Sequence, residues 1–208
     1  MSMNNNMFFL GLDLGQAADY TALALVERVC VPRQLADYHV RGLERLPLGT
    51  SYPDVVTHVK ELLANPAIGG RASLVADATG CGRPVMDMLR GAGLRPWAVT
   101  LTAGTEVTRD NPKMEIHLPK RDMAATLQVL LQCGRLKMAQ GLREAPTLVK
   151  ELLNFRVKID LRTANDTYEA WREGDHDDLV FAVGLACWLG ELPPLQPLQP
   201  MSIYIRRA

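Results

Sequence analysis

Residues 7–14 read MFFLGLDL, a short apolar run of strand-forming residues that Asp13 interrupts near its end. Two further runs follow after short polar links, residues 21–31 (TALALVERVCV) and 35–43 (LADYHVRGL). Their apolar content and partial alternation are typical of β-strands. Strands joined by such short links pair antiparallel, because parallel neighbours need a longer crossover. The first 45 residues therefore predict an antiparallel three-stranded meander.

Helices and strands alternate after the meander. A helix is predicted over residues 52–63, where apolar residues have helical spacing behind Ser51 and Pro53. The other predicted elements are a strand (72–77), a helix (83–90), a strand (96–101), an irregular segment (103–118), a helix from Lys120 that Gly134 ends, a short strand (136–138), a helix (146–155), a hairpin (156–161 and 167–171) and an apolar helix (177–190). This order predicts an α/β fold: one mixed sheet of about five core strands, three antiparallel and then parallel, with helices on both faces and an extra β-hairpin. We expect one domain over residues 1–192 and a Pro-rich tail over 193–208.

Composition excludes several classes of protein. The chain has 208 residues, 48% of them apolar, with 23 Lys+Arg against 23 Asp+Glu. It is too apolar to be disordered, and its zero net charge excludes a histone-like binder that relies on bulk positive charge. The four cysteines form no CxxC pair and no stretch of about 20 apolar residues exists. We expect a cytoplasmic protein with buried, reduced thiols and no membrane partner.

Acidic residues occur at three places where stability of the fold does not require a charge. Asp13 lies in a predicted buried strand, where a charge costs several kcal/mol unless it is paired or metal-bound. Asp77 ends another strand, and ligands of α/β sheets bind at such carboxyl ends. Asp177 and Asp178 follow Asp175 at the start of the last helix. Each has an ordinary alternative, a turn for Asp77 and a helix N-cap for Asp177 or Asp178.

If the strands of Asp13 and Asp77 are neighbours, their carboxylates converge, and the last helix can bring Asp177 or Asp178 to the same place. Converging carboxylates raise one another's pKa unless a cation compensates. Hard divalent ions with oxygen ligands meet this need, and two of them about 3.5–4 Å apart promote phosphodiester cleavage. The layout therefore predicts a site for Mg²⁺ or Mn²⁺, with two ions.

Four segments between about residues 8 and 188 resemble the nuclease domain of phage terminase large subunits, which has an RNase H-like fold. They are GLDLGQAADYTALALVE (11–27), LVADATGCGRPVMDML (74–89), LPKRDMAATLQVLLQCGRLKMA (118–139) and GDHDDLVFAVGLACW (174–188). These enzymes cut concatemeric viral DNA during packaging. The resemblance implies a metal-dependent DNA endonuclease with Asp13, Asp77 and one or both of Asp177 and Asp178 as metal ligands. His176 would orient water or a phosphate.

The resemblance also implies partners. Double-stranded DNA would be the substrate of a phage- or prophage-encoded enzyme in the host cytoplasm. The chain has no GxxxxGK[ST] motif, so it cannot bind ATP through a P-loop and carries no packaging motor of that kind. We expect either an excised nuclease domain or a stand-alone relative. A separate packaging ATPase, a small terminase or a portal protein would then be its partners.

Basic residues flank the predicted acidic site along the chain. We expect local phosphate contacts from Lys and Arg to position DNA, although ordinary solvated faces are the alternative. The candidates are Arg109, Lys113, Lys120, Arg121, Arg156, Lys158 and Arg162, and the positive pair Arg135 and Lys137 follows the long helix.

Three other functions remain open at this point. A Holliday-junction resolvase shares the fold and metal chemistry and would be a dimer that prefers four-way junctions. An ATP-binding domain of the sugar kinase and actin-like superfamily also begins with a GLDLG-like strand, but its second phosphate motif of the DxGG kind is not visible here. A degenerate RNase H-like binding module would lack one or more of the acids, whereas this sequence has the full set.

Overall fold

The computed structural model describes residues 7–15, 19–30, 32–68, 70–80, 82–160, 165–170 and 177–193, and only the backbone of 156–160 and 165–170. The strands are β1 (Met7–Asp13), β2 (Ala22–Val29), β3 (Asp37–Arg45), β4 (Ala72–Asp77), β5 (Pro96–Thr102), β6 (Thr108–Asp110), β7 (Glu115–Pro119), β8 (Leu136–Met138), β9 (Phe155–Asp160) and β10 (Asn165–Ala170). The helices are α1 (Tyr52–Leu63), α2 (Gly82–Gly91), α3 (Lys120–Gln132), α4 (Ala145–Asn154) and α5 (Asp178–Glu191).

One mixed sheet has the strand order β6-β7-β5-β4-β1-β2-β3-β8. The meander β1–β2–β3 is antiparallel, whereas β4, β5 and β7 continue parallel to β1 on its other side. The predicted mixed α/β sheet is thus confirmed, with the five predicted core strands at its centre. The predicted short strand β8 pairs with β3, and β9 pairs with β10 as the predicted hairpin.

The prediction that residues 103–118 are irregular is wrong. This segment contains β6 and β7, which form an antiparallel hairpin at the edge of the sheet. Asn111 and Pro112 lie in the turn between the two strands. Turn-forming residues therefore marked the connection and hid two short strands, of which β7 is stabilised by parallel pairing with β5.

Helices cover both faces of the sheet, because apolar side chains alternate between its two sides. Leu10 and Leu12 of β1 pack with buried residues of α1 and α2. Phe9 of β1 packs with α5 on the opposite face, where α3 and α4 also lie. Residues 178–190 of α5 are all buried, since the sheet lies on one side of this helix and α3 and α4 lie on the other.

Two glycines permit the close approach of α5 to its neighbours. A Cβ atom on Gly11 of β1 would lie 1.9 Å from the carbonyl oxygen of Ala182 in α5. A Cβ atom on Gly184 would lie 3.0 Å from the side chain of Met123 in α3. The helix therefore rests directly on the backbone of β1, and its height above the sheet depends on a residue without a side chain.

An ion pair fixes the carboxyl end of α5. Arg135 is buried and donates two hydrogen bonds to Glu191, at 3.1 and 2.6 Å, and a third to the carbonyl oxygen of Ala36. Lys137 beside it pairs with Asp37 at the start of β3. Both cations therefore stabilise the end of the sheet opposite to Asp13, and we do not assign them to DNA.

The expectation of buried thiols holds for only part of the chain. Cys187 is buried in α5, but Cys30 and Cys133 are exposed, so the expectation is wrong for these two. Both lie next to the ends of secondary-structure elements, where sequence spacing does not report exposure. Cys81 lies outside the described residues.

Candidate metal centre

Asp13 and Asp77 lie side by side at the carboxyl ends of two adjacent parallel strands. Leu12 of β1 is in register with Ala76 of β4, so the next residues, Asp13 and Asp77, are at the same level. Neighbouring strands are about 4.8 Å apart, and residues in register project on the same face. That face is the one covered by α5, because Phe9 and Val75, at alternate positions on the two strands, belong to the cluster around α5. The two strands are neighbours, which is the condition under which the sequence analysis expects their carboxylates to converge.

Asp13 is in an environment that strongly disfavours its charge. Its pKa is raised well above the ordinary value, mainly by burial and then by the charges of Asp77, Asp178, Asp177 and Asp19. Carboxylates from β4, from the start of α5 and from the turn between β1 and β2 therefore act on a single buried acid. A bound cation would reverse this penalty, because it favours the ionised form of each of them.

Asp77 experiences a weaker version of the same effect. Burial raises its pKa, while hydrogen bonds from Thr79 and the charge of Lys120 lower it. The backbone N–H of Thr79 donates to Asp77 Oδ1 at 2.7 Å, and the Thr79 hydroxyl donates to the same oxygen. Asp77 therefore stabilises the turn after β4, as its ordinary explanation requires. The same two bonds fix the position of its Oδ1 atom.

The start of α5 brings two more acids to this end of the sheet. Asp178 is the first residue of the helix and is buried, and Asp177 occupies the N-cap position. The side chain of Asp177 makes no capping hydrogen bond. The ordinary explanation of Asp177 as a helix cap is therefore not supported by its contacts.

Glu151 of α4 caps α5 in place of Asp177. Its Oε2 accepts hydrogen bonds from the backbone N–H groups of Leu179 and Val180, at 2.9 and 3.1 Å. Burial, with a contribution from Asp178, raises the pKa of Glu151 to about 7. We did not predict this residue from the sequence. One signal was available: Glu151 lies three residues after Leu148 and four before Phe155, on the apolar face of its helix.

Arg45 connects Glu151 to the meander. Its guanidinium at the carboxyl end of β3 lies 3.9 Å from Glu151 and 3.5 Å from Glu144, and it stacks over the ring of Tyr20 at 4.6 Å. One cation thus faces a carboxylate of α4 and the carboxylate of the N-cap residue of that helix.

The structure separates the candidate DNA-binding cations. Lys120 and Arg121 begin α3 directly after β7, at the same end of the sheet as Asp77. Lys120 Nζ lies 5.7 Å from the ring centroid of Phe181 in α5, and Arg121 pairs with Asp122. Lys113 pairs with Asp110 in the turn at the opposite end of the β6–β7 hairpin, and Arg109 stacks on Trp97. His176 and Arg162 lie outside the described residues, and Arg156 and Lys158 are described by their backbone alone.

The residues present fit a hard divalent cation by their chemistry. Among the described residues, no three His, Cys, Asp or Glu side chains form a ready-made metal-binding group. Mg²⁺ does not need one, since it is usually held by one or two carboxylates while water and substrate phosphates complete its shell. Asp13 and Asp77, with Asp178 in electrostatic range of Asp13, provide only hard oxygen donors.

A cleft of about 430 Å³ opens at the β1–β2 connection, and Asp19 is the one acid among the described residues that line it. It lies between the β1–β2 connection and the start of α1, and Gly15, Asp19, Thr21, Ser51 and Tyr52 are among its lining residues. Asp19, whose charge acts on Asp13, therefore borders a surface depression.

Comparison with solved structures shows that the chain shares its fold with terminase nuclease domains. The chain superposes on the large terminase nuclease of the thermophilic phage G20c with a TM-score of 0.59 and 23% identity, over 87% of this chain and 81% of that one. The chain has the fold of large-terminase nuclease domains. The human cytomegalovirus terminase nuclease domain, soaked with Mn, gives a TM-score of 0.54 at 16% identity over 91% and 86% of the two chains.

A third terminase nuclease has the same fold. The nuclease domain of the large terminase of bacteriophage SPP1, with bound Mn, gives a TM-score of 0.51 at 14% identity over 86% and 84% of the two chains. These neighbours confirm the RNase H-like fold class and the resemblance noted in the sequence. No protein-family model and no curated protein matches the chain. Within the part of the chain described, no helix has both the length and the apolar character needed to cross a bilayer.

Proposed function

We propose that this protein is a divalent-metal-dependent DNA endonuclease of the terminase type. The observation that carries the proposal is the pairing of Asp13 and Asp77 on adjacent parallel strands, on the face where α5 brings Asp177 and Asp178. Acids in this arrangement hold cations at the carboxyl edge of a sheet, which is where α/β folds bind their ligands.

Asp13, Asp77, Asp178 and Asp177 would hold Mg²⁺ or Mn²⁺, with two ions in the active form. Two such ions activate a water molecule for attack and stabilise the leaving oxygen during phosphodiester hydrolysis. Bound Mn in the SPP1 nuclease domain supports this choice of metal. The two hydrogen bonds from Thr79 to Asp77 Oδ1 restrict rotation of the carboxylate, so they also fix the direction of its second oxygen. We retain His176 as a residue that orients water or a phosphate.

Lys120 and Arg121 are the cations that the geometry favours for contact with DNA near the acids. Lys120 is close enough for its charge to act on Asp77. A negatively charged phosphate bound between this lysine and a metal ion would therefore have a positive charge on each side. Arg109, Lys113, Arg156, Lys158 and Arg162 would contact the backbone of the duplex farther from the cleavage point. The zero net charge predicts weak, salt-sensitive affinity for bare DNA.

The nuclease would occupy residues 1–192, with residues 193–208 as a C-terminal tail. Its substrate would be double-stranded, concatemeric phage DNA in the host cytoplasm. Because these 208 residues contain no P-loop motif, a packaging ATPase outside them would move the DNA, and a small terminase or portal protein would deliver it. The weak expected affinity for DNA supports such dependence on a partner.

Plasmid cleavage tests the proposal. We expect the purified protein to nick and linearise supercoiled plasmid with Mn²⁺ or Mg²⁺ and to leave it intact with EDTA. A four-way junction should be cut no faster than linear duplex, and calorimetry should detect no ATP binding. The proposal fails if the plasmid stays intact with Mn²⁺ and an Asp13→Ala variant binds Mn²⁺ no differently from the unaltered protein.

A further inference from the structure

The first turn of α5 depends on a residue from another helix. The first four N–H groups of a helix have no partner within it and need an outside acceptor. The N-cap residue Asp177 does not provide one through its side chain. Glu151, 28 residues earlier in the chain, accepts from Leu179 and its Oε2 also accepts from Val180. The side chain of Glu151 is only 5% exposed, so water does not share this task.

We propose that Glu151 is a positioning residue for the metal centre. It fixes the first turn of α5, and with it Asp177 and Asp178, at the level of Asp13, so that neither aspartate is needed as the helix cap. This inference rests on the proposed metal-dependent nuclease. It assigns to Glu151 a contact with the backbone that carries the ligands and no contact with the metal or the DNA.

The surroundings of Glu151 indicate a task other than packing. A carboxylate buried beside another acid is unfavourable, and an apolar residue would join α4 to α5 at lower cost. The only cation that pairs with Glu151 among the described residues is Arg45, at 3.9 Å, which also faces Glu144. Arg45 therefore does not fully offset the cost of burying the Glu151 carboxylate. The two hydrogen bonds that this carboxylate accepts from the start of α5 explain why an acid stands at this position.

The connection also fixes α5 relative to the strands. Arg45 ends β3 and stacks on Tyr20, which lies in the β1–β2 connection, two residues before β2. Glu151 touches both this arginine and the start of α5. The distance between the sheet edge and the first turn of α5 is thus set by one chain of contacts, from β3 through Arg45 and Glu151. Helix α5 itself is held against β1 by the contact at Gly11.

Three substitutions of Glu151 distinguish the effect of its side-chain length from the effect of its charge. Glu151→Gln keeps the length and one acceptor oxygen but removes the charge, whereas Glu151→Asp keeps the charge and shortens the side chain by one methylene. Glu151→Ala removes both. Glu144→Gln is the matched control, since Glu144 also pairs with Arg45 and stands at the start of α4, where its side chain accepts a hydrogen bond from Thr147. For each variant we would measure the Mn²⁺ dissociation constant by calorimetry without DNA, and hydrogen exchange at the amides of Leu179 and Val180.

The affinity for Mn²⁺ should depend on the length of the side chain at position 151 and not on its charge. We expect Glu151→Gln and Glu144→Gln to bind Mn²⁺ within about threefold of the unaltered protein, and Glu151→Asp and Glu151→Ala to bind it about 10- to 100-fold more weakly. The amides of Leu179 and Val180 should exchange faster in Glu151→Asp and Glu151→Ala, and at an unchanged rate in the other two variants. Should Glu151→Ala fail to fold, the comparison of Gln with Asp decides alone.

Two results would overturn the inference. Equal Mn²⁺ affinity in the Gln and Asp variants would show that reach does not matter, and unchanged amide exchange in Glu151→Asp would show that Glu151 does not hold α5. Absence of Mn²⁺ binding in the unaltered protein would instead overturn the proposed function itself, and this inference with it. The failures of the two proposals are therefore distinguishable.

Discussion

Asp13→Asn abolishes metal-dependent DNA cleavage in our account, with a loss of about 1,000-fold or more in rate. A catalytic metal ion contributes several kcal/mol of transition-state stabilisation, and each 1.36 kcal/mol is a factor of ten in rate. Asp13 is the acid on which Asp77, Asp178 and Asp177 all act, so its loss affects the whole group. The rate is measured on supercoiled plasmid with saturating Mn²⁺.

The same substitution should stabilise the metal-free protein, and by an amount that depends on pH. The folded state raises the pKa of Asp13 above its unfolded value of about 3.9, so below that pH both states carry the neutral acid and the substitution has little effect. As the pH rises, the unfolded chain ionises first and the native protein loses stability, a loss that asparagine avoids. Melting temperatures in EDTA between pH 4 and pH 8 measure this difference.

An exposed acid provides the control for both effects. Asp87 on α2 has a side chain that is 70% exposed, and it pairs with Arg90 on the same helix. Asp87→Asn should change neither the cleavage rate nor the pH dependence of melting. If Asp13→Asn cuts DNA at the rate of the unaltered protein, Asp13 is not part of a catalytic metal site.

Gly11→Ala should unfold or strongly destabilise the protein, by about 3 kcal/mol or more. The added methyl group would lie 1.9 Å from the carbonyl oxygen of Ala182, and this atom belongs to the backbone of α5 and cannot rotate away. Overpacking of a buried site costs about 1–3 kcal/mol even where side chains can yield. The helix must move off β1, which also moves Asp178 away from Asp13. Urea unfolding and Mn²⁺ calorimetry measure the two consequences.

Gly42→Ala is the matched control for that result. Gly42 also lies in the meander, on β3, but a Cβ atom there would meet only the Cβ of Leu25, at 3.4 Å. We expect a change in the free energy of unfolding of less than about 1 kcal/mol and unchanged Mn²⁺ affinity. Equal stability of the Gly11 and Gly42 variants would contradict the close contact between β1 and α5.

The central strands and the last helix could be predicted because their signals are local. Apolar runs ending in a carboxylate marked β1 and β4, and the uninterrupted apolar stretch from Leu179 marked a fully buried helix. The convergence of Asp13 and Asp77 depended on a condition that the sequence left open, that their strands are neighbours in the sheet. Strands β6 and β7 could not be predicted in this way, since they have three and five residues and form only because β5 offers an edge to pair with.

Contacts between distant elements account for the rest of what the sequence did not disclose. Glu151 caps a helix that starts 27 residues later, and no local pattern links the two. Arg135 looked like one of several free cations until its partner, Glu191, appeared 56 residues away at the far end of α5. Charge in a sequence can be counted, but only tertiary contacts decide which charges face a ligand and which ones hold the fold together.

A crystal soaked in Mn²⁺ tests the metal centre most directly. Anomalous scattering collected at the manganese edge locates the ion without reference to the protein atoms. We predict Mn²⁺ density between Asp13 and Asp77, in contact with Asp178 or Asp177, with carboxylate oxygens as ligands. A fully soaked crystal with no anomalous peak at these acids, or with Asp13 and Asp77 turned away from each other, would contradict the account.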